Sequence, residues 1–266
     1  MNSNHHTKLE FISLSGGGRI ARLCFNRPEL ANAFSAEMMG EITTHLNNLS
    51  GMKDVRALIL MGKGKHFSAG ADLGWMKASA NLTLEENKID ATRLREMFES
   101  IVKLTIPKIA AINGAAYGGS VGVVACCDYA IASANAKFCL SEAKLGLIPA
   151  VIAPYLLRKM HAGSVRRMAL TGRVLSANEA REAGLVEIVT ETLDEQVKDE
   201  LNAILTCGPQ AQSAINELFD NLREVSWRQS DKTVEAIARA RTSAEGQAGL
   251  NSFFAKKPPP WLRSLD

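Results

Sequence analysis

Apolar residues recur along the chain in two rhythms. LEFISL and GRIARLCF have the pattern of short strands, and Gly16, Gly17 and Gly18 between them supply the turn of a hairpin. After Arg27-Pro28-Glu29, Ser35 is placed to cap a helix. Its apolar positions Met38, Ile42, Leu46 and Leu49 keep helical spacing until Gly51. VRALILMG is apolar at almost every position, as expected of a strand covered on both faces. The loop KGKHFSAGADLGWM then leads to a longer helix. That helix opens with a capping-box pattern at Thr83 and Glu86, carries Leu94, Met97, Phe98, Ile101 and Leu104 as its stripe, and stops before Pro107. IAAIN reads as the next strand. GAAYGGSVGVVACCD follows with a short buried helix expected from Ser120, and then come the strand-like runs YAIAS and KFCLS.

The character changes beyond residue 150. Ser176 caps a helix that Gly184 ends, and LVEIV is the last convincing strand. Amphipathic helices are expected over 195–206, 209–223, 231–243 and 245–254, before a KKPPPW tail that cannot continue a helix. The early part returns repeatedly to strand–strand–helix. The chain therefore divides into a β-rich core over 1–192 and a helical region over 193–266.

Composition narrows the class without naming a function. The 266 residues are 46% apolar and 22% charged, with 31 basic against 28 acidic side chains, so nothing marks the chain for nucleic acid. No apolar run approaches the ~18 residues of a membrane span, and MNSNHHTKLEF lacks the apolar stretch of a signal peptide. Cys24, Cys126, Cys127, Cys139 and Cys207 show no metal-ligand spacing and read as reduced thiols. No metal and no separate cofactor is expected. A cytoplasmic enzyme or binding protein fits these features.

Two loops carry the candidate chemistry. Ser68-Ala69-Gly70-Ala71-Asp72-Leu73 and Gly118-Gly119 each follow a buried strand, and such loops emerge on the edge of a sheet where ligands bind. Small residues leave backbone N–H groups uncovered, and the helix after Gly119 would aim its positive end at the same place. Two N–H groups converging on one carbonyl oxygen make an oxyanion hole. A pair of tight turns is the plainer reading of the same residues.

The segments FNRPELANAF, HFSAGADL, INGAAYGGSVGVVACCDYAIAS and FCLSEAKLGLIP, in this order, resemble the crotonase (enoyl-CoA hydratase/isomerase) superfamily. The likeness extends through TGRVLSANEAREAGLVEIV to the tail. It implies an α/β (α+β) fold, with a repeated ββα superhelical core, and a C-terminal helical region that drives assembly into a homotrimer or a dimer of trimers. It also implies an acyl-CoA thioester substrate, with coenzyme A present only as part of that substrate. By this resemblance the N–H groups of Ala71 and Gly119 form the oxyanion hole. Ala69 offers its carbonyl to the adenine, Leu30 and Ala31 line the nucleotide, and Asp72, Leu73 and Tyr117 stand at the substrate. Arg27 reads either as a phosphate contact or as a solvated surface residue. Phe253 and Phe254 would close a neighbouring subunit's site, with Lys256 and Lys257 near the phosphates.

Hydratases of the superfamily use two glutamates. The second falls on Glu142, whereas the first falls on Gly122. One glutamate suits a Δ3–Δ2 enoyl-CoA isomerase, which shuttles a proton between two carbons, and also permits hydration if the same carboxylate serves as base and then as acid. GGSVGVVACCDYAIAS, FCLSEAKLGLIPAVIAPY and HFSAGADLGWM resemble in particular the bacterial methylglutaconyl-CoA hydratases of leucine catabolism. That likeness implies a substrate with a distal carboxylate, for which Lys144, Arg158 and Lys159 are candidate partners. A non-catalytic or RNA-binding crotonase homologue is the remaining alternative. Asp72 and Asp128 also read as braces of the fold.

Overall fold

In a computed structural model that describes residues 5–79, 82–222 and 243–263, two sheets organise the chain. Strands β1 (Thr7–Ser13) and β2 (Arg19–Phe25) form the expected hairpin, antiparallel, with Gly16, Gly17 and Gly18 all at positive φ in its turn. The chain then adds parallel strands β3 (Val55–Gly62), β4 (Lys108–Ile112), β6 (Tyr129–Ser133) and β9 (Ile188–Thr190). The resulting order is β1-β2-β3-β4-β6-β9. A smaller sheet, in the order β5-β7-β8, pairs β5 (Ala115–Tyr117), β7 (Lys137–Cys139) and β8 (Val174–Ser176). Consecutive ββα turns thus give one strand to each sheet. β4 and β6 enter the large sheet, and β5 and β7 the small one.

The apolar runs of the parallel strands are explained by burial on both sides. On β3, Leu58 and Leu60 join the main core while Ala57 and Ile59 join a second core on the opposite face. Alternation continues on β4, where Ala110 and Ile112 face one way and Ile109 and Ala111 the other. The main core is completed by α1 (Ala36–Ser50), α3 (Leu84–Val102) and α4 (Gly119–Cys126). Ser35 caps α1 by accepting from Met38 N, and Thr83 with Glu86 closes the capping box of α3.

The second core is covered by α8 (Leu193–Leu205), through Val197, Leu201, Ile204 and Leu205. The helical region therefore does not detach from the core at residue 193; its first helix is a layer of the core. Further helices are α2 (Leu73–Ser79), α5 (Ala153–Lys159), α6 (Ala162–Thr171), α7 (Ala177–Glu182), α9 (Pro209–Leu222) and α10 (Ala244–Phe254). The helix expected over 231–243 lies outside the described residues, as do the side chains of Phe253 and Phe254. Among the described residues no helix is long and apolar enough to cross a membrane.

Candidate active site

The two small-residue loops meet. Ser68 N donates to Ala115 O and Tyr117 N to Ser68 O, each at 3.0 Å, so the loop after β3 is laced to β5. The fully buried Ser120 hydroxyl lies 2.9 Å from Ser68 O and 2.8 Å from Tyr117 O, tying α4 to the same crossing. Gly70 makes the approach possible. Its φ is +89°, and a Cβ there would stand 2.5 Å from Tyr117 O, well inside contact distance.

Two backbone donors are left bare at this crossing. In the parallel bridge of Phe34 with Ala71, Phe34 N donates to Gly70 O at 2.7 Å and Asp72 N to Phe34 O at 3.0 Å. The N–H of Ala71 itself has no protein acceptor among the described residues. Gly119 is the first residue of α4, and the N–H at that position has no intrahelical acceptor. Gly118 before it, at φ +53°, donates its own N–H to Cys139 O at 2.8 Å.

Glu142 begins the 3₁₀ turn Glu142–Leu145 that follows β7. Its Oε1 lies 3.5 Å from where a Gly118 Cβ would be, so the carboxyl stands against the residue that precedes Gly119. Oε2 is buried and has no hydrogen-bond partner among the described residues. Burial pushes the Glu142 carboxyl above the ordinary glutamate range, only partly opposed by a bond from its own backbone N–H. A carboxylate with an unused oxygen and a raised pKa, beside the Gly118-Gly119 step, is equipped for proton transfer.

No second carboxylate fits at residue 122. A Cβ on Gly122 would lie 2.4 Å from Ile152 Cγ2 and 3.0 Å from Phe98 Cε1. Both side chains are buried, so the space that a side chain at 122 would need is filled with hydrocarbon.

The rim residues take varied places. Leu30 is half exposed, and Ala31 adopts a left-handed conformation at φ +48°. Ala31 O accepts from Ala69 N at 2.8 Å. Ala69 is exposed, and its carbonyl has no protein donor among the described residues. Leu73 opens α2 and is 82% exposed, while Tyr117 is half-buried, with burial raising its phenol pKa. Asp72 is occupied with protein: Oδ1 accepts from Gly74 N and Trp75 N, and Oδ2 pairs with Arg27 at 3.0 Å. Burial opposes its ionisation, but these bonds outweigh it and hold the carboxyl below the usual range.

Several expectations are corrected. Arg27 is not a solvated residue, because its side chain is only 12% exposed and is engaged by Asp72 and Ala33 O. Of the three basic candidates for a distal carboxylate, Arg158 pairs with Asp220 and Lys159 with Glu187. Lys144 is exposed and, among the described residues, has no ion pair; it lies against Gly172. Asp128 does brace the fold, as its place in the sequence suggests, with Oδ1 3.2 Å from Lys108 Nζ and Oδ2 accepting from Lys108 N. Asn32, which the sequence did not single out, is fully buried and donates to Lys63 O and His66 O.

The model of the family "Enoyl-CoA hydratase/isomerase" matches residues 16–264. The chain belongs to that family. The enoyl-CoA hydratase ACTT6 of Alternaria alternata is 34% identical over 241 residues, covering 87% of this chain and 77% of the relative. The crystal structure of an enoyl-CoA hydratase from Shewanella pealeana superposes with a TM-score of 0.91 at 37% identity, covering 97% of both chains. An enoyl-CoA hydratase from Bacillus anthracis superposes at 0.88 with 28% identity, covering 97% of this chain and 99% of that one. The ββα architecture described above is thus the crotonase fold, and the chain is an enzyme of this family.

Proposed function

We propose that this enzyme adds water to an α,β-unsaturated acyl-CoA thioester, with the N–H groups of Ala71 and Gly119 on the thioester oxygen and Glu142 as the single acid and base. The observation that carries the reading is the Glu142 carboxyl, whose buried Oε2 has no hydrogen-bond partner among the described residues and whose Oε1 stands 3.5 Å from where a Gly118 Cβ would be, at the residue before the uncovered N–H of Gly119. Polarisation of the thioester makes the β-carbon electrophilic, and charge accumulates on its oxygen as water adds. Glu142 takes a proton from that water, then returns one to the α-carbon. Ala69 O, Leu30 and Ala31 are read as the nucleotide rim.

The substrate class is read as a 3-methylglutaconyl-CoA-like thioester. Trp75 Nε1, four residues after Ala71, is a buried donor without an acceptor among the described residues. A polar atom at the far end of the acyl group would satisfy it, and Lys144 is the other candidate. The helical region over 193–266 is read as the assembly region of a trimer. The exposure of Ile215 and Phe219 on α9 supports this, since a partner subunit would cover them.

Isomerisation of a 3-enoyl-CoA is the second reading, favoured by the hydrocarbon that fills the place of a second carboxylate at residue 122. Mass spectrometry of 3-methylglutaconyl-CoA, crotonyl-CoA and a 3-enoyl-CoA after incubation separates the two. Gain of one water, greatest on the glutaconyl thioester and at least ~100-fold slower in Glu142→Gln, is expected. Unchanged mass with a moved double bond would replace hydration by isomerisation, and near-normal turnover of Glu142→Gln would overturn the site.

A further inference from the structure

Arg27 touches none of the proposed reacting groups, yet a continuous line of hydrogen bonds runs from it to one of them. Its Nη1 donates to Ala33 O at 2.7 Å. That oxygen belongs to the peptide unit whose N–H is on Phe34, and Phe34 N donates to Gly70 O at 2.7 Å. Gly70 O in turn belongs to the peptide unit whose N–H is on Ala71, the donor left bare. Two peptide units in series therefore connect a guanidinium to the oxyanion position.

Such a chain has two effects. A peptide whose carbonyl accepts a hydrogen bond becomes a better donor at its N–H, by about 10–30% per bond, and a cationic first donor strengthens the series. The chain also fixes the plane of the 70–71 peptide at Gly70, the residue with the freest backbone in the loop. Asp72 holds the guanidinium in place through Oδ2, and is itself held by Gly74 N and Trp75 N. Asn32 fixes the other end, accepting from Arg27 N at 2.9 Å and donating to Lys63 O and His66 O.

We propose that Arg27 is a positioning residue that orients and polarises the Ala71 N–H through the peptide units 33–34 and 70–71, with Asp72 as its anchor. This inference rests on the oxyanion reading of Ala71. It goes beyond that reading by assigning the strength of the donor to a side chain that lies two peptide units away.

The test uses the carbonyl stretch of a bound, unreactive saturated acyl-CoA thioester, measured by infrared difference spectroscopy with a ¹³C label on the carbonyl. In the unaltered enzyme the band falls to lower wavenumber on binding. Arg27→Met is expected to lose much of that shift and about tenfold in kcat, while KM changes by less than threefold. Removal of a whole oxyanion donor would cost roughly 10²–10³-fold. Arg27→Lys, with one compact charge for two acceptors, is expected between the two.

Removing one partner of a buried pair leaves the other charge uncompensated, so Arg27→Met/Asp72→Asn is measured alongside as the variant more able to fold. An undiminished shift in either folded variant overturns the proposal, because a merely structural Arg27 lowers the amount of folded enzyme and not the shift of bound ligand. Absence of the shift in the unaltered enzyme would instead overturn the oxyanion reading. Glu142→Gln, which should keep the full shift while losing turnover, separates that failure from a failure of the glutamate assignment.

Discussion

Replacing Gly122 by alanine tests whether the space at residue 122 is truly closed. The new methyl carbon would lie 2.4 Å from Ile152 Cγ2, 2.9 Å from Ile152 Cβ and 3.0 Å from Phe98 Cε1. Carbon atoms rest about 3.5–4.0 Å apart, so every one of these contacts is short by at least ~0.5 Å. Phe98 is fully buried and Ile152 is 3% exposed, so neither can swing out to solvent. Overpacking costs about 1–3 kcal/mol, and three contacts this short at once in a closed space place this substitution in the upper part of that range, about 2–3 kcal/mol, while alanine returns about 1 kcal/mol through helix propensity in α4. The net loss is then about 1–2 kcal/mol, or roughly 2–8 °C in Tm for a chain of this size, compared at equal protein concentration. Guanidinium denaturation of Gly122→Ala, Ile152→Ala and the double variant gives the coupling. Ile152→Ala removes Cγ2, so the second substitution should cost less in the presence of the first, by about 1 kcal/mol or more. A Gly122→Ala enzyme as stable as its parent, or a cycle with no coupling, would refute the overlap. The argument that a second glutamate cannot simply be installed there would fall with it. Gly122→Glu should be worse than alanine, because it adds an unpaired carboxylate among Phe98 and Ile152.

The raised pKa of Glu142 gives kcat/KM an acid limb whose midpoint lies above the ordinary glutamate value, and a pH–rate profile of the free enzyme reads it. The same shift affects stability. A carboxyl whose folded pKa is raised favours the fold below its unfolded pKa and loses that contribution as pH rises through the folded pKa. Glu142→Gln should therefore be more stable than its parent at pH 7, with the advantage vanishing in denaturation experiments below the unfolded glutamate pKa. Gly70→Ala, with its Cβ 2.5 Å from Tyr117 O at a positive φ, should cost a few kcal/mol and at least tenfold in kcat, measured by calorimetry and turnover. Trp75→Phe should lower kcat/KM for a carboxylate-bearing thioester relative to crotonyl-CoA by about tenfold; an unchanged ratio would remove Trp75 from substrate recognition.

Long elements with a clear period were legible before the fold. The stripe Met38, Ile42, Leu46 and Leu49 with its Ser35 cap sits in α1 as expected, and the all-apolar VRALILMG is β3, buried from both sides. The three-residue strands β5 and β8 were not legible, because three positions cannot display a period of two over any useful length. Helix α5 was missed for a related reason: it has seven residues and carries Pro154 in its first turn, where proline reads as a break yet is tolerated. At the site, sequence drew attention to Gly70 and Gly118-Gly119 because glycine signals close backbone approach. The burial of Arg27 left no such mark. An arginine before a proline looks like surface until Asp72, forty-five positions away, is folded against it. Gly122 shows the opposite limit, since its identity was plain but the side chains that exclude a larger residue come from α3 and the segment before α5.

The crossing of the two loops also has a mechanical side. Ala71 is carried by the loop that leaves the large sheet at β3, whereas Gly119 and Glu142 follow β5 and β7 of the small one. A thioester held by all three would rivet the two sheets together at the crossing. Sliding of one sheet over the other would then require the rivet to break, so an unreactive ligand should slow amide exchange at Ser68 and Tyr117, whose N–H groups lace the seam, more than at the buried strands of either sheet.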